Sequence, residues 1–326
     1  MRQQASLRSY VLRRSLQLLP TVIIVVLINF TLIHLTPGDP AIILAGEAAD
    51  PAFLARLREE FGLDRPIHEQ VFAYLMKIIS GDLGYSYVYR QSVADLILSK
   101  LPNTILLTAT SLALASLIGV IIGAYASSKV YSLADNTITG ISLMGYSLPI
   151  FWFGQILVVV FALYLNLFPA QGMVDPRTAL TGSDYVANLL HHLFLPVVAL
   201  MMWQVGLIAR LTRASMLEIL AEDYIVTARS KGLYERVVIY KHALRNALLP
   251  VITIIGMNVG LMFAGSVLVE TVFAWPGIGR LMFMSILSRD YPVIMGVFIV
   301  VSVMVVLANL VTDVLYGVLD PRVRYG

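Results

Sequence analysis

The sequence predicts an all-α integral membrane protein with six transmembrane helices, and three observations point there. Of its 326 residues 58% are hydrophobic and 13% charged, and mean hydropathy is +0.81, whereas a soluble domain carries about 25% charge. Six apolar runs each approach the roughly 20 residues that cross a hydrocarbon core about 30 Å thick. Lys and Arg gather in alternate connections, fourteen on one side against three in the short loops of the other. By the positive-inside rule both termini are cytoplasmic. The net charge of +3 is too small to signal nucleic acid. The absence of cysteine excludes disulfides and thiolate chemistry.

The first span is expected from Ser15 to about Thr36, behind Arg2, Arg8, Arg13 and Arg14. It is too long for a signal-peptide core and no small-x-small cleavage site follows. Residues 1-36 thus form a tail and first helix. Residues 37-102 form an outer region punctuated by Pro37-Gly-Asp-Pro40, Phe61-Gly-Leu-Asp-Arg-Pro66 and Gly81-Asp-Leu-Gly84. Two short amphipathic helices are expected in it, at 52-61 and 68-79. Residues 103-326 form the core, with spans from Asn103 to about Ser127, Thr137 to Leu165, His192 to Ala209, Ala247 to Glu270 and Val293 to Gly317. Gly119/Gly123 and Gly256/Gly260 are expected to let helices pack closely.

The long basic passage between the fourth and fifth spans contains Asp223-Tyr-Ile-Val-Thr-Ala-Arg-Ser-Lys-Gly232. Glu222 and Asp223 suit the cap and first turn of a helix, Arg229 and Lys231 its last turn, and Gly232 a left-handed cap. A helix of about two turns is marginal alone. Carrying Tyr224, Ile225 and Ala228 on one face, it is expected to dock into something. Between spans five and six, Trp275, Pro276, Gly277 and Gly279 interrupt apolar sequence. Irregular backbone at membrane depth needs protein or a water-filled cavity beside it, so this element is expected to re-enter the membrane and line a pathway, leaving Ile278 and Gly279 open to water.

No Gly-x-x-x-x-Gly-Lys-Ser/Thr loop occurs, so the chain binds no ATP through a P-loop. The one carboxylate read well within a span is Asp313, a candidate intramembrane charge whose plain reading is an ion pair with Arg210 or Arg322. An intramembrane protease finds little support: Phe72 stands where a second zinc ligand would follow His68-Glu69, and the Gly-x-Ser matches at 140 and 145 are short. A passive channel lacks a filter motif. No residue is assigned as catalytic, metal-binding or cofactor-binding.

The basic passage resembles the EAA loop of ABC importer permeases, with Val226-Thr227-Ala228 at the Glu-Ala-Ala positions and Arg245 replacing the usual later proline. Asp223-Tyr-x-x-Thr-Ala-Arg-x-Lys-Gly232 followed by His242-Ala-Leu-Arg-Asn-Ala-x-x-Pro250 looks like the dipeptide/oligopeptide/nickel branch. Pro37-Gly-Asp-Pro40, Phe61-Gly-Leu-Asp64, Gly81-Asp-Leu-Gly-Tyr-Ser86, Trp275-Pro-Gly-Ile-Gly279, Arg289-Asp-Tyr-Pro292 and Leu319-Asp-Pro-Arg322 fall in that branch's order. The long outer loop is similar to that of its first permease subunit. The resemblance implies a type I ABC importer permease fold in a prokaryotic inner membrane. It implies a heterodimer with a second homologous permease, two P-loop ATPase subunits that carry ATP and Mg, and an extracytoplasmic solute-binding protein. The helix of Asp223, Tyr224, Ile225, Thr227, Ala228, Arg229, Lys231 and Gly232 becomes the ATPase coupling helix. Peptides are the expected cargo, with a nickel chelate, glutathione or another small solute as alternatives. Gln155, Gln204, Met257 and Asn258 are candidate cavity residues.

Overall fold

A computed structural model describes residues 20, 23–31, 50–52, 54, 55, 58, 64–177 and 181–319. Residues 23–31 are helical, inside the expected first span. The remainder of that span apart from Pro20, Pro37-Gly-Asp-Pro40, most of the helix expected at 52-61, and the segment after Leu319 lie outside the described residues.

Helix α1, Ile67–Ile79, begins behind Pro66 and carries Glu69 in its first turn and Lys77 in its last, each charge opposing the helix dipole. Gly81, at φ +83°, turns the chain out of it. A two-residue hairpin pairs β1, Tyr85–Ser86, with β2, Gln91–Ser92. The Ser92 side chain then accepts from Asp95 N and opens α2, Val93–Ser128. The expected boundary at 102 is therefore corrected. Pro102 sits inside one helix, and at about 1.5 Å per residue its 36 residues reach well beyond a hydrocarbon core.

The third expected span is also corrected. It is two helices, α3 (Leu133–Ser147) and α4 (Ile150–Leu157), the latter continuing through a π-helical turn, Val158–Tyr164, with a bend of 103° between them. Pro149 disfavours helical backbone at the residue before it, and Leu148 is extended at ψ 133°. Helix α5, Gly182–Leu220, starts ten residues before the expected His192. Helix α6 is Asp223–Ser230, and a short helical stretch at Glu235–Val237 and a π turn at Val238–Ala243 lead into α7, Leu244–Val272. Helices α8, Ile278–Leu287, and α9, Tyr291–Leu319, are the last elements among the described residues. Among the described residues four helices are long and apolar enough to cross a membrane, and the bent pair adds a fifth.

Small residues set the packing, because lipid removes the hydrophobic drive between helices and leaves close contact to do the work. A Cβ on Gly119 would stand 2.8 Å from the Ile208 Cβ, joining α2 to α5, and one on Gly260 would stand 2.9 Å from Val305 Cγ1, joining α7 to α9. Two hydroxyls inside α2 are turned back on their own helix: Thr108 donates to Thr104 O at 2.8 Å and Ser111 to Leu107 O at 2.7 Å. Helices α3 and α5 are tied by Arg213, whose guanidinium meets both oxygens of buried Asp135 at 2.5 and 2.7 Å.

Candidate functional site

Two features carry the candidate site, the docked helix α6 and the turn between α7 and α8. Helix α6 begins behind Glu222, whose backbone accepts from Ile225 N but whose side chain makes no capping bond. It ends as its sequence dictates: Gly232 N donates to Arg229 O and Gly232 adopts φ +74°, the left-handed region open to glycine at little cost.

The face of α6 differs from expectation. Ile225 and Ala228 are buried against this chain's own Met216, Val238, Ile239, Ala243 and Ala247, so neither presents its side chain to an outside partner. Apolar side chains at i and i+3 found their groove within the chain, and full burial of one such as Ile225 is worth about 1.5–3 kcal/mol. Tyr224 accepts from Asn246 Nδ2 at 2.7 Å through its hydroxyl. Arg229 pairs with Glu235 at 2.8 Å across the Gly232 turn, an exposed bridge worth about 0–1 kcal/mol. The outward surface is Asp223, Val226, Thr227 and Ser230, with Lys231 exposed beside them. Val226, 53% exposed, is the residue that reading the sequence missed; an apolar side chain between two inward positions was the available signal.

The turn 273–280 is built around Glu270, which is fully buried. Its carboxylate accepts from Thr104 Oγ1 at 2.7 Å and from Arg280 N at 2.9 Å. Arg280 N belongs to the first turn of α8, whose N–H groups have no partner within the helix. A carboxylate from α7 thus caps α8. On the other side Trp275 Nε1 donates to Asn103 O and Asn103 Nδ2 donates to Pro276 O, both at 2.9 Å. Ile278 N donates to Thr104 Oγ1 at 2.9 Å. Gly277 and Gly279 leave no room for a side chain: a Cβ would meet the Glu270 carboxylate at the first and Val267 Cα, at 2.6 Å, at the second.

The expectation that Ile278 and Gly279 stand open to water is therefore corrected. Trp275, Gly277, Ile278 and Gly279 are all buried, and Pro276 partly so. The backbone that lipid could not satisfy is satisfied by α2 and Glu270. Glu270 escaped the sequence reading because it stands at the end of an apolar run, where a carboxylate looks interfacial.

Of the other candidates, Gln155 and Met257 are exposed, while Gln204 and Asn258 are buried, Asn258 donating to Ile254 O at 2.8 Å. The side chain of Asp313 lies outside the described residues; the Arg210 guanidinium lies 4.7 Å over the Tyr146 ring, which stacks on Trp203. Two distant sequence motifs meet at Ser86, which donates to buried Asp290 at 2.5 Å. Burial raises the Asp290 carboxyl above its ordinary range.

Residues 115–325 match the family described as binding-protein-dependent transport system inner membrane component, and residues 7–108 match the N-terminal family of the same membrane components. The chain is 40% identical to the dipeptide transport system permease protein DppB of Escherichia coli (strain K12), covering 97% of this chain and 98% of that one. It is 39% identical to the oligopeptide transport system permease protein AppB of Bacillus subtilis (strain 168), covering 97% and 99%. Among solved structures, a chain of the inward-facing MetNI methionine ABC transporter superposes with a TM-score of 0.53 at 15% identity, covering 69% of this chain and 96% of that one.

Proposed function

The chain belongs to the family of binding-protein-dependent transport system inner membrane components, and from that premise we propose that it forms half of the translocation pathway of a peptide importer. It is a multi-pass inner-membrane permease subunit with the type I ABC importer fold. One observation carries the peptide reading: identity of 40% runs over 97% of the chain with a dipeptide permease.

In this reading the partner permease is a second, homologous chain, and two ATPase subunits supply ATP and Mg. An extracytoplasmic binding protein delivers the peptide. Both termini and α6 face the cytoplasm, an orientation supported by the distribution of Lys and Arg. Helix α6 receives the ATPase stroke through Asp223, Val226, Thr227 and Ser230. Ile225 and Ala228 pass it inward to the segment 238–247, because they are packed on it. Rigid-body transmission needs a discrete packed element of this kind. The Trp275–Gly279 turn acts as a fixed wall at the outer end, supported by its burial and by the Glu270 bonds.

The test is reconstitution in liposomes with the second permease, the ATPase pair and the binding protein. Dipeptide uptake that requires both ATP and the binding protein is the expected result. Flux without ATP would replace the importer by a channel, and uptake of a nickel chelate or glutathione in place of dipeptide would overturn the cargo.

A further inference from the structure

Helix α1 has an apolar face that no described residue of the chain covers. Phe72, Met76 and Ile79 stand at i, i+4 and i+7, on one side of the helix, and are 60%, 48% and 76% exposed. The opposite side is held by protein. Gln70 is buried and donates to Arg65 O at 2.8 Å. The Tyr74 hydroxyl lies 4.0 Å from Met295 Sδ, and its ring centroid is 5.8 Å from that of Phe30.

These contacts fix a depth. Met295 lies four residues into α9, about 6 Å along the helix axis from its start, and Phe30 lies within the apolar first run. A Cβ on the next residue, Gly296, would stand 3.7 Å from the Leu83 Cβ. Tyr74 and Leu83 therefore touch α9 at one level.

The neighbouring hairpin marks the same level. Tyr85 and Tyr87 stack edge to face at 5.1 Å, and Tyr85, Tyr87, Val88 and Tyr89 are exposed just before α2 begins. Tyrosine is enriched at this boundary because its ring is apolar and its hydroxyl is not. Ser86, bonded to Asp290, ties the hairpin to the start of α9.

We propose that α1 is an interfacial helix whose Phe72, Met76 and Ile79 insert into the bilayer at the leaflet where α2 and α9 begin. Interfacial helices bury their apolar face about 5–10 Å deep, which matches the level of Met295. The inserted face is apolar rather than basic, so zwitterionic phosphatidylcholine is partner enough. The inference depends on the spans crossing a membrane and stands apart from the transported cargo.

The chain has no cysteine, so single spin labels can be placed at F72C, M76C and I79C, with D64C, an exposed position ahead of the helix, as reference. In the full chain in phosphatidylcholine liposomes, the three labels should collide with oxygen several-fold more, and with a water-soluble nickel chelate several-fold less, than the label at 64. F72W, read as the quenching by bromine-labelled phosphatidylcholine that it adds to that of the three native tryptophans, checks the same depth without a label. Equal accessibility to the nickel chelate at all four positions, or shielding of the three from both reagents by protein, would overturn the proposal, as would absence of added bromine quenching in F72W.

Discussion

Thr104 donates to the Glu270 carboxylate at 2.7 Å while accepting from Ile278 N at 2.9 Å. One hydroxyl on α2 thereby joins the end of α7 to the start of α8, across 166 residues of sequence on one side. The turn that looked like an exposed irregularity is held on both flanks. Its two glycines are small because the carboxylate and the Val267 backbone occupy the space of a Cβ.

Removing that carboxylate should be costly. Glu270→Ala leaves Arg280 N and the Thr104 hydroxyl without their acceptor, and each buried unsatisfied group costs about 1–3 kcal/mol. Thr104→Val strands Ile278 N instead. Thermal unfolding of the purified complex should show both variants lowered and the double variant lowered by less than their sum, since residues in one network couple by about 0.5–3 kcal/mol. Strict additivity would mean that the two side chains do not act together.

Gly279→Ala forces a methyl against Val267 Cα at 2.6 Å, and overpacking of this kind costs about 1–3 kcal/mol. Gly140 lies in α3 with nothing within 4 Å of a Cβ, so Gly140→Ala should be neutral or slightly stabilising, as alanine favours a helix by up to about 1 kcal/mol. The contrast in midpoint temperature between two chemically identical changes is the measurement. Equal effects would remove the steric account of the turn.

Much of this architecture is legible in the sequence, and the failures have physical causes. Apolar length finds four of the spans among the described residues, though not their ends, and the pattern Glu222 to Gly232 gives α6 almost to the residue. Periodicity places Ile225 and Ala228 on one face, yet it cannot say whether that face meets another protein or the chain itself. The bend at Pro149 was visible as a proline, but its size depends on how α4 packs. Glu270 and Asp290 look like ordinary end-of-span charges until Thr104 and Ser86, far away in sequence, arrive beside them.

Asp290 gives a pH dependence with a definite sign. Burial raises its carboxyl above the usual 3.8, so the folded protein holds this proton more tightly than the unfolded chain. The linked stability is fully present below pH about 4 and is lost as pH rises through the raised value. Asp290→Asn removes this ionisation, and its stability curve should be flatter than that of the unaltered protein just above pH 4. Parallel curves would show that Asp290 titrates as an exposed carboxylate.

The orientation of α6 separates two variants that a helical wheel alone would treat alike. Ala228 is 8% exposed and packed against the segment 238–247, whereas Val226 is 53% exposed. Ala228→Glu would bury a charge without a partner, which costs several kcal/mol unless the helix leaves its groove. It should lower the stability of the permease itself and free α6 to proteolysis. Val226→Glu adds its charge to the outward face, leaving the packing of Ile225 and Ala228 untouched. That variant should melt within about 0.5 kcal/mol of the unaltered protein, as surface changes do, yet lose co-purification with the ATPase subunits and with it ATP-driven uptake. Normal association and full uptake by Val226→Glu would mean that the outward face of α6 is not where the ATPase docks.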